Sequence, residues 1–284
     1  MTTSPVHGRG RPARRPSVSV VVPTLNEERN LPAVFARIPA DVEVILVDGG
    51  SVDRTVEVAR ELRPSIVITQ QTRAGKGNAL ACGFAEARGD IIVMIDADGS
   101  TDPGEIDRFV AAVHGGADFA KGSRFREGGD SYDITPLRRL GNRGLNGLVN
   151  TLFGTRFTDL CYGYNAFHRS VLDHLDLPSI DAPAPAGGRL WGDGFEIETL
   201  INIRVAAAGL RVTEVPSVEA PRQYGESNLN TFRDGMRVLR TIVSEYRRNA
   251  KRSRVATPAP VEAPVPLPVR PAGAAEPAGE RRAA

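Results

Sequence analysis

Five consecutive apolar residues, Ile91–Ile95, run directly into Asp96-Ala97-Asp98-Gly99. A continuous apolar run of this length reads as a strand buried on both faces. Such a strand needs helices above and below it, and the neighbouring sequence supplies them. Apolar strand patterns at Ser17–Val22, Val42–Asp48 and Ser65–Thr69 alternate with three helical patterns. The first follows a cap-like Asn26 and places Leu31, Val34, Phe35 and Ile38 at helical spacing; the others cover 49–62 and 75–87. This alternation predicts βαβ units, a parallel sheet and an α/β fold. Ligands of such sheets bind outside the carboxyl ends of the strands. Asp48, Asp96 and Asp98 all fall at strand carboxyl ends.

Paired carboxylates must meet a cation, protonate or sit in water. In an extended Asp-Ala-Asp segment both carboxylates can share one side while Ala97 points into the fold. Hard oxygen ligands open to water suit Mg²⁺ or Mn²⁺, which take one or two carboxylates and leave room for phosphate oxygens. Asp48 precedes Gly49, Gly50 and Ser51, a turn that lets backbone approach a ligand closely. Lys76 stands between Gly75 and Gly77 at a helix start, a geometry that favours anions. Gly77 occupies the position where a Walker A loop requires Ser or Thr, and no GxGxxG follows a strand. P-loop ATPases and dinucleotide-dependent dehydrogenases are disfavoured on those grounds.

Charge narrows the partners. Of the net +2, residues 1–16 contribute four arginines and no acid, and residues 247–284 contribute eight Lys/Arg against three Glu. The tails thus hold +9 and residues 17–246 hold −7. An acidic body with basic ends does not suit nucleic acid, which calls for positive charge on the folded face; basic tails suit anionic lipid. The seven prolines of residues 255–284 predict disorder there. Two cysteines, no 18-residue apolar run and no secretory h-region predict a cytoplasmic protein without a transmembrane helix.

The ordered motifs VVVPTLNEE, ILVDGGSVDRT, GKGNAL, IDADGS and GSRF resemble those of family 2 glycosyltransferases. The nearest subgroup is the polyprenol-phosphate sugar transferases, including dolichyl-phosphate mannose and glucose synthases. The resemblance spans about residues 17–246, flanked by basic tails at 1–16 and 247–284. It implies a single catalytic domain of GT-A fold, a Rossmann-like, mostly parallel sheet flanked by helices. It also implies a UDP- or GDP-sugar donor, a divalent cation and inversion at the anomeric carbon.

Carried over by motif, Pro23, Thr24, Asn26, Glu27, Asp48, Gly50, Ser51, Lys76, Asp96, Ala97 and Asp98 should bind the nucleotide-sugar, with Asp96 and Asp98 on the metal. Arg124 should approach a phosphate, as should Arg222 and Ser227 of RQYGESNLN. In that segment Asn228 stands where the family pattern has lysine, and Glu226 adds a negative charge. Asp193 and Glu196 of GDGFEIETL are the candidate general bases for a hydroxyl acceptor; a lipid phosphate needs none. The acceptor reading is a polyprenyl phosphate. The alternatives are a saccharide or small-molecule hydroxyl, or a non-catalytic nucleotide-sugar-binding or membrane scaffold protein.

Two further helices are expected. In 135–153, Leu137, Leu140, Leu145, Leu148 and Leu152 share one face, and Asn142, Arg143, Asn146 and Asn150 the other. In 228–248, Phe232, Met236, Leu239 and Val243 form a stripe beside Arg233, Arg237 and Arg240. Basic amphipathic helices either pack on the core or lie peripherally at the inner face of a membrane.

Overall fold

A computed structural model describes residues 16–186, 188–225 and 231–255. Ser227, Glu226 and Asn228 lie outside these residues, as do the terminal stretches 1–15 and 256–284. The elements run β1 (Val18–Thr24), α1 (Leu31–Phe35), β2 (Glu43–Asp48), α2 (Thr55–Leu62), β3 (Val67–Gln70), α3 (Lys76–Glu86) and β4 (Ile91–Met94). There follow α4 (Ile106–His114), β5 (Phe119–Ser123), β6 (Asp130–Ser131), α5 (Pro136–Phe153), β7 (Asn165–His168), α6 (Leu172–Leu175) and α7 (Ile197–Ala207). The chain ends in β8 (Val212–Pro216), β9 (Val218–Glu219) and α8 (Thr231–Val255).

Seven strands form one sheet in the order β3-β2-β1-β4-β7-β5-β8. Only β7 is antiparallel to its neighbours, as the expected mostly parallel sheet requires. The chain winds outward from β1 to β3, then returns to place β4 on the other side of β1. That reversal opens a crevice beyond the carboxyl ends of β1 and β4. Ile91, Ile92 and Val93 have no exposed surface, so β4 is buried on both faces as its run of apolar residues demands. One face packs on α1, α2 and α4, the other on α3, α6 and α7, and a third apolar cluster joins α5, α7 and α8.

Three expectations need correction. Helix α1 starts at Leu31, not after Asn26; Asn26 sits at φ 57, a left-handed conformation that ends helical continuity, and Pro32 opens the helix instead. Helix α8 continues to Val255, seven residues beyond the expected end at 248, because residues 249–255 contain no proline. The third concerns α5, where both sides meet protein: the asparagine side is buried with Val149, and Leu145, Leu148 and Leu152 are half-buried against the third apolar cluster. Asn146 donates to Thr158 O (2.6 Å) and accepts from Leu160 N (2.7 Å). Asn150 donates to Phe157 O (2.9 Å) and accepts from Phe157 N (2.8 Å). Asn142 donates to the buried Asp159 carboxylate (3.0 Å). The irregular segment 157–160 carries backbone groups without sheet partners, and buried groups of that kind must be satisfied. The asparagines satisfy them, while Leu137 and Leu140 remain 69% exposed.

Asn146→Ala should therefore destabilise the protein by about 2–5 kcal/mol, since two buried backbone groups lose partners. Leu140→Ala should change stability by less than about 0.5 kcal/mol. Denaturant unfolding of the two variants checks this, and similar losses in both would contradict the structural role of the asparagine side.

Candidate active site

The crevice at the β1/β4 switch is a cleft of about 700 Å³. Pro23, Thr24, Leu25 and Glu27 line it at and after the end of β1, Gly49 after β2, Gln71 and Ala74–Lys76 after β3, and Asp96–Asp98 and Ser100 after β4. The far wall comes from the second half of the chain: Arg124, Cys161–Gly163, Gly194, Phe195, Glu198, Glu219 and Arg222, with the facing sides of α5 and α8.

The two aspartates after β4 meet separate cations. Lys76 Nζ lies 2.5 Å from Asp96 Oδ1 and 2.7 Å from Glu198 Oε1. Asp98 Oδ1 accepts from Ser100 N (2.9 Å), fixing the turn, while its Oδ2 lies 2.6 Å from Arg222 Nη2. Arg222 Nη1 is also 3.8 Å from Glu27. Ala97 between them is buried in the core as expected, although residues 97 and 98 form a turn rather than extended strand. Nearby carboxylates push the Lys76 ammonium well above the ordinary lysine range, overcoming burial; burial pushes Glu198 and Glu27 up from the usual carboxylate value.

Asp96, Asp98, Glu27 and Glu198 against Lys76 and Arg222 leave a formal excess of two negative charges. Among the described residues no group of three or more His, Cys, Asp or Glu side chains forms a closed metal cage. Two hard carboxylates open to a cleft, in an anionic surround, fit Mg²⁺ or Mn²⁺ completed by phosphate oxygens and water.

The loop before α3 is held differently from the expectation. Arg73, buried and unremarked in the sequence, makes a bidentate pair with Asp193 (2.8 and 2.9 Å) and donates to Ser179, Ile180 and Ala182 carbonyls. The amides of Gly77 and Asn78 at the start of α3 donate to Asp193 O (2.7 and 3.3 Å). Those amides are therefore not free to cradle an anion; Lys76 alone of this loop presents charge to the cleft. Gly75 and Gly77 lack side chains for a packing reason, since a Cβ on either would overlap the Asp193 or Gly192 carbonyl.

Asp193 is thus corrected: its carboxylate is buried and saturated by Arg73 and Leu190 N, so it is not a base facing the cleft. Glu196 Oε1 accepts from the Gly192 and Gly194 amides, and Oε2 has no hydrogen bond, with Arg237 Nε 3.7 Å away. Asp48 turns its oxygens to the Gly50 and Ser51 amides and shapes its own turn. Ser51 Oγ accepts from Asn26 N, and Asn26 Oδ1 accepts from Val52 N, so these residues tie two loops together behind the cleft. Arg124 reaches the cleft with its guanidinium engaged by Asp159 (2.7 and 2.9 Å) and Glu219 (3.0 Å). Arg73, Asp159, Glu198 and Glu219 carried no sequence signal, because their partners lie 95 to 122 residues away, or 35 for Asp159.

A doubly wound, mostly parallel sheet with an acidic Asp-x-Asp turn at its switch point is the architecture of the GT-A class. The model of the family described as "Glycosyl transferase family 2" matches residues 19–176. The chain belongs to that family and is a glycosyltransferase, which removes the non-catalytic scaffold reading. It is 34% identical to a polyprenol monophosphomannose synthase of Mycolicibacterium smegmatis over 78% of this chain and 83% of that protein. It is 31% identical to an undecaprenyl-phosphate mannosyltransferase of Micrococcus luteus over 75% and 87%. Glucosyl-3-phosphoglycerate synthase of Mycobacterium tuberculosis, solved with Mn²⁺, UDP and glucosyl-3-phosphoglycerate, shares the fold. Its TM-score is 0.60 with 23% identity, covering 81% of this chain and 79% of that one.

Asp193→Ala should cost about 3–5 kcal/mol, because Arg73 is left as an unpaired buried charge. A loss of turnover with unchanged thermal stability would instead restore Asp193 as a base.

Proposed function

We propose that this glycosyltransferase moves a hexose, with inversion, from a UDP- or GDP-sugar to a polyprenyl phosphate at a membrane surface. The carrying observation is that each carboxylate lining the cleft among the described residues has a cation within 4.0 Å. The pairs are Glu27 and Asp98 with Arg222, Asp96 and Glu198 with Lys76, Asp133 with Arg138, Glu219 with Arg124, and Asp234 with Arg237. A hydroxyl acceptor needs a free base within reach of its proton. A phosphate acceptor arrives ionised and needs cations, and six arginines and Lys76 line this cleft. Two relatives named for polyprenyl-phosphate chemistry support the same acceptor.

Pro23, Thr24, Leu25 and Gly49, which line the cleft at the ends of β1 and β2, are the residues to receive the nucleoside. Asp96 and Asp98 are the residues to hold Mg²⁺ or Mn²⁺, which when bound offsets the charge that develops on the leaving diphosphate. Lys76 adds a fixed positive charge there, held by carboxylates on both sides. Asp159 and Glu219 orient the Arg124 guanidinium at the acceptor side, and Tyr162 packs beneath it at 4.9 Å.

The cleft opens between α5 and α8. The buried acids of α8, Asp234 and Glu245, pair with Arg237 and Arg204 and leave the outer face to Phe232, Met236, Arg240, Val243 and Arg247. Beside it α5 exposes Leu140. An apolar face edged by arginine suits an anionic bilayer surface, so the lipid phosphate enters laterally. Among the described residues no helix is long and apolar enough to cross a membrane.

Incubation with UDP-glucose or GDP-mannose, Mn²⁺ and undecaprenyl phosphate should give a lipid-linked hexose. Chelation should abolish it and Asp98→Asn should lower kcat/KM by about 10²-fold or more, as for lost charge stabilisation. Transfer only to hydroxyl acceptors, abolished by Glu196→Gln, would establish the hydroxyl reading instead. Leu140→Glu/Phe232→Glu should lose cosedimentation with phosphatidylglycerol vesicles; unchanged sedimentation would refute the membrane face.

A further inference from the structure

The two aspartates are held by cations of unequal security. Lys76 stands on the first turn of α3, and carboxylates grip it from opposite sides at 2.5 and 2.7 Å. Gly163 leaves the space for this arrangement, since a Cβ there would press on Lys76 Nζ and Glu198 Oε1. Arg222 has one close carboxylate, Asp98 at 2.6 Å, with Glu27 at 3.8 Å, and its side chain is more exposed than that of Lys76.

The backbone around Arg222 is tethered independently of its guanidinium. Ala220 N donates to Ser100 O (2.9 Å), and Asn30 Nδ2 donates to Tyr224 O (3.2 Å). The Tyr224 ring stacks under Arg29 at 4.1 Å. Segment 220–225 thus straps the Asp98 turn to the loop after β1, and Arg222 can leave Asp98 by side-chain rotation alone.

We propose that Arg222 is the exchangeable counter-ion of Asp98: a divalent ion takes the Asp98 oxygen by displacing this guanidinium, while Lys76 stays on Asp96. This rests on the metal-dependent reading of the site and deepens it. A 2+ ion outcompetes a single charge for one carboxylate by simple Coulomb attraction. At Asp96 no displacement is needed: Lys76 stays on Oδ1, where its removal would strand the buried Glu198, and Oδ2 is left for the ion. The displaced guanidinium remains beside the cleft with its planar donor fork free, the geometry that binds phosphate bidentately. Binding of the ion and readiness of a phosphate-gripping arginine are then one event, which makes Arg222 a positioning residue for the metal as well as a phosphate ligand.

The test needs neither donor nor acceptor, so it stays readable whatever sugar or lipid the enzyme uses. Free Mn²⁺ is followed by electron paramagnetic resonance during titration of the nucleotide-free full chain. Arg222→Gln should bind Mn²⁺ at least about 3-fold more tightly than wild type, Arg222→Lys should stay near wild type, and Asp98→Asn should lose the site. Phenylglyoxal labelling of the unmodified chain, read by peptide mass spectrometry, provides the second measurement. Mn²⁺ should raise labelling of Arg222 in wild type and leave it unchanged in Asp98→Asn. Equal or weaker Mn²⁺ binding by Arg222→Gln, binding by neither protein, or Arg222 labelling indifferent to Mn²⁺ would each overturn the proposal.

Discussion

Two like charges at the end of a strand buried on both faces are the constraint around which this molecule is arranged. The carboxylates of Asp96 and Asp98 emerge where the sheet offers no solvent behind them, so each requires a cation in front. The fold supplies Lys76 from the first half of the chain and Arg222 from the second. Each cation draws a further acid, Glu198 or Glu27. The result is a floor with two negative charges in excess, set at the topological switch point of the sheet. The proposed donor recognition and ion binding both rest on that electrostatic arrangement.

The second half of the chain is built to hold the first half's loops in place. Arg73 and Asp193 lock the loop before α3 onto the segment before α7, with glycines at 75 and 77 allowing backbone to touch backbone. Arg124, Asp159 and Glu219 bind β5, the 157–160 segment and β9 into one polar unit. Three asparagines of α5 satisfy that segment from below. With these polar side chains turned inward, Leu137 and Leu140 of α5 and Phe232, Met236 and Val243 of α8 are left outward, while Leu145, Leu148, Leu152, Val238 and Ile242 pack on the third apolar cluster. The exposed apolar surface and the internal polar scaffold are two faces of the same helices.

The sheet, its order of elements and the Asp-x-Asp pair were legible because they rest on local pattern. Strands β1, β2 and β4 are buried runs rich in Val, Ile, Leu and Met, β3 is a half-buried edge strand, and Asp96 and Asp98 directly follow β4. Asp193 and α5 misled for a common reason. Residue type alone does not tell whether a carboxylate serves a ligand or a buried arginine 120 residues away. Nor does helical periodicity tell which face of a mixed Leu/Asn helix goes inward when the core beneath it is polar.

The sequence by itself determined an α/β sheet of βαβ units, its family and the position of the Asp-x-Asp turn, since strand burial and motif order are written along the chain. The tertiary structure alone decided which acids remain at the cleft, which cation serves each aspartate and which helix faces look outward. Those outcomes depend on pairing between residues remote in sequence, where burial makes a charge seek its partner through space.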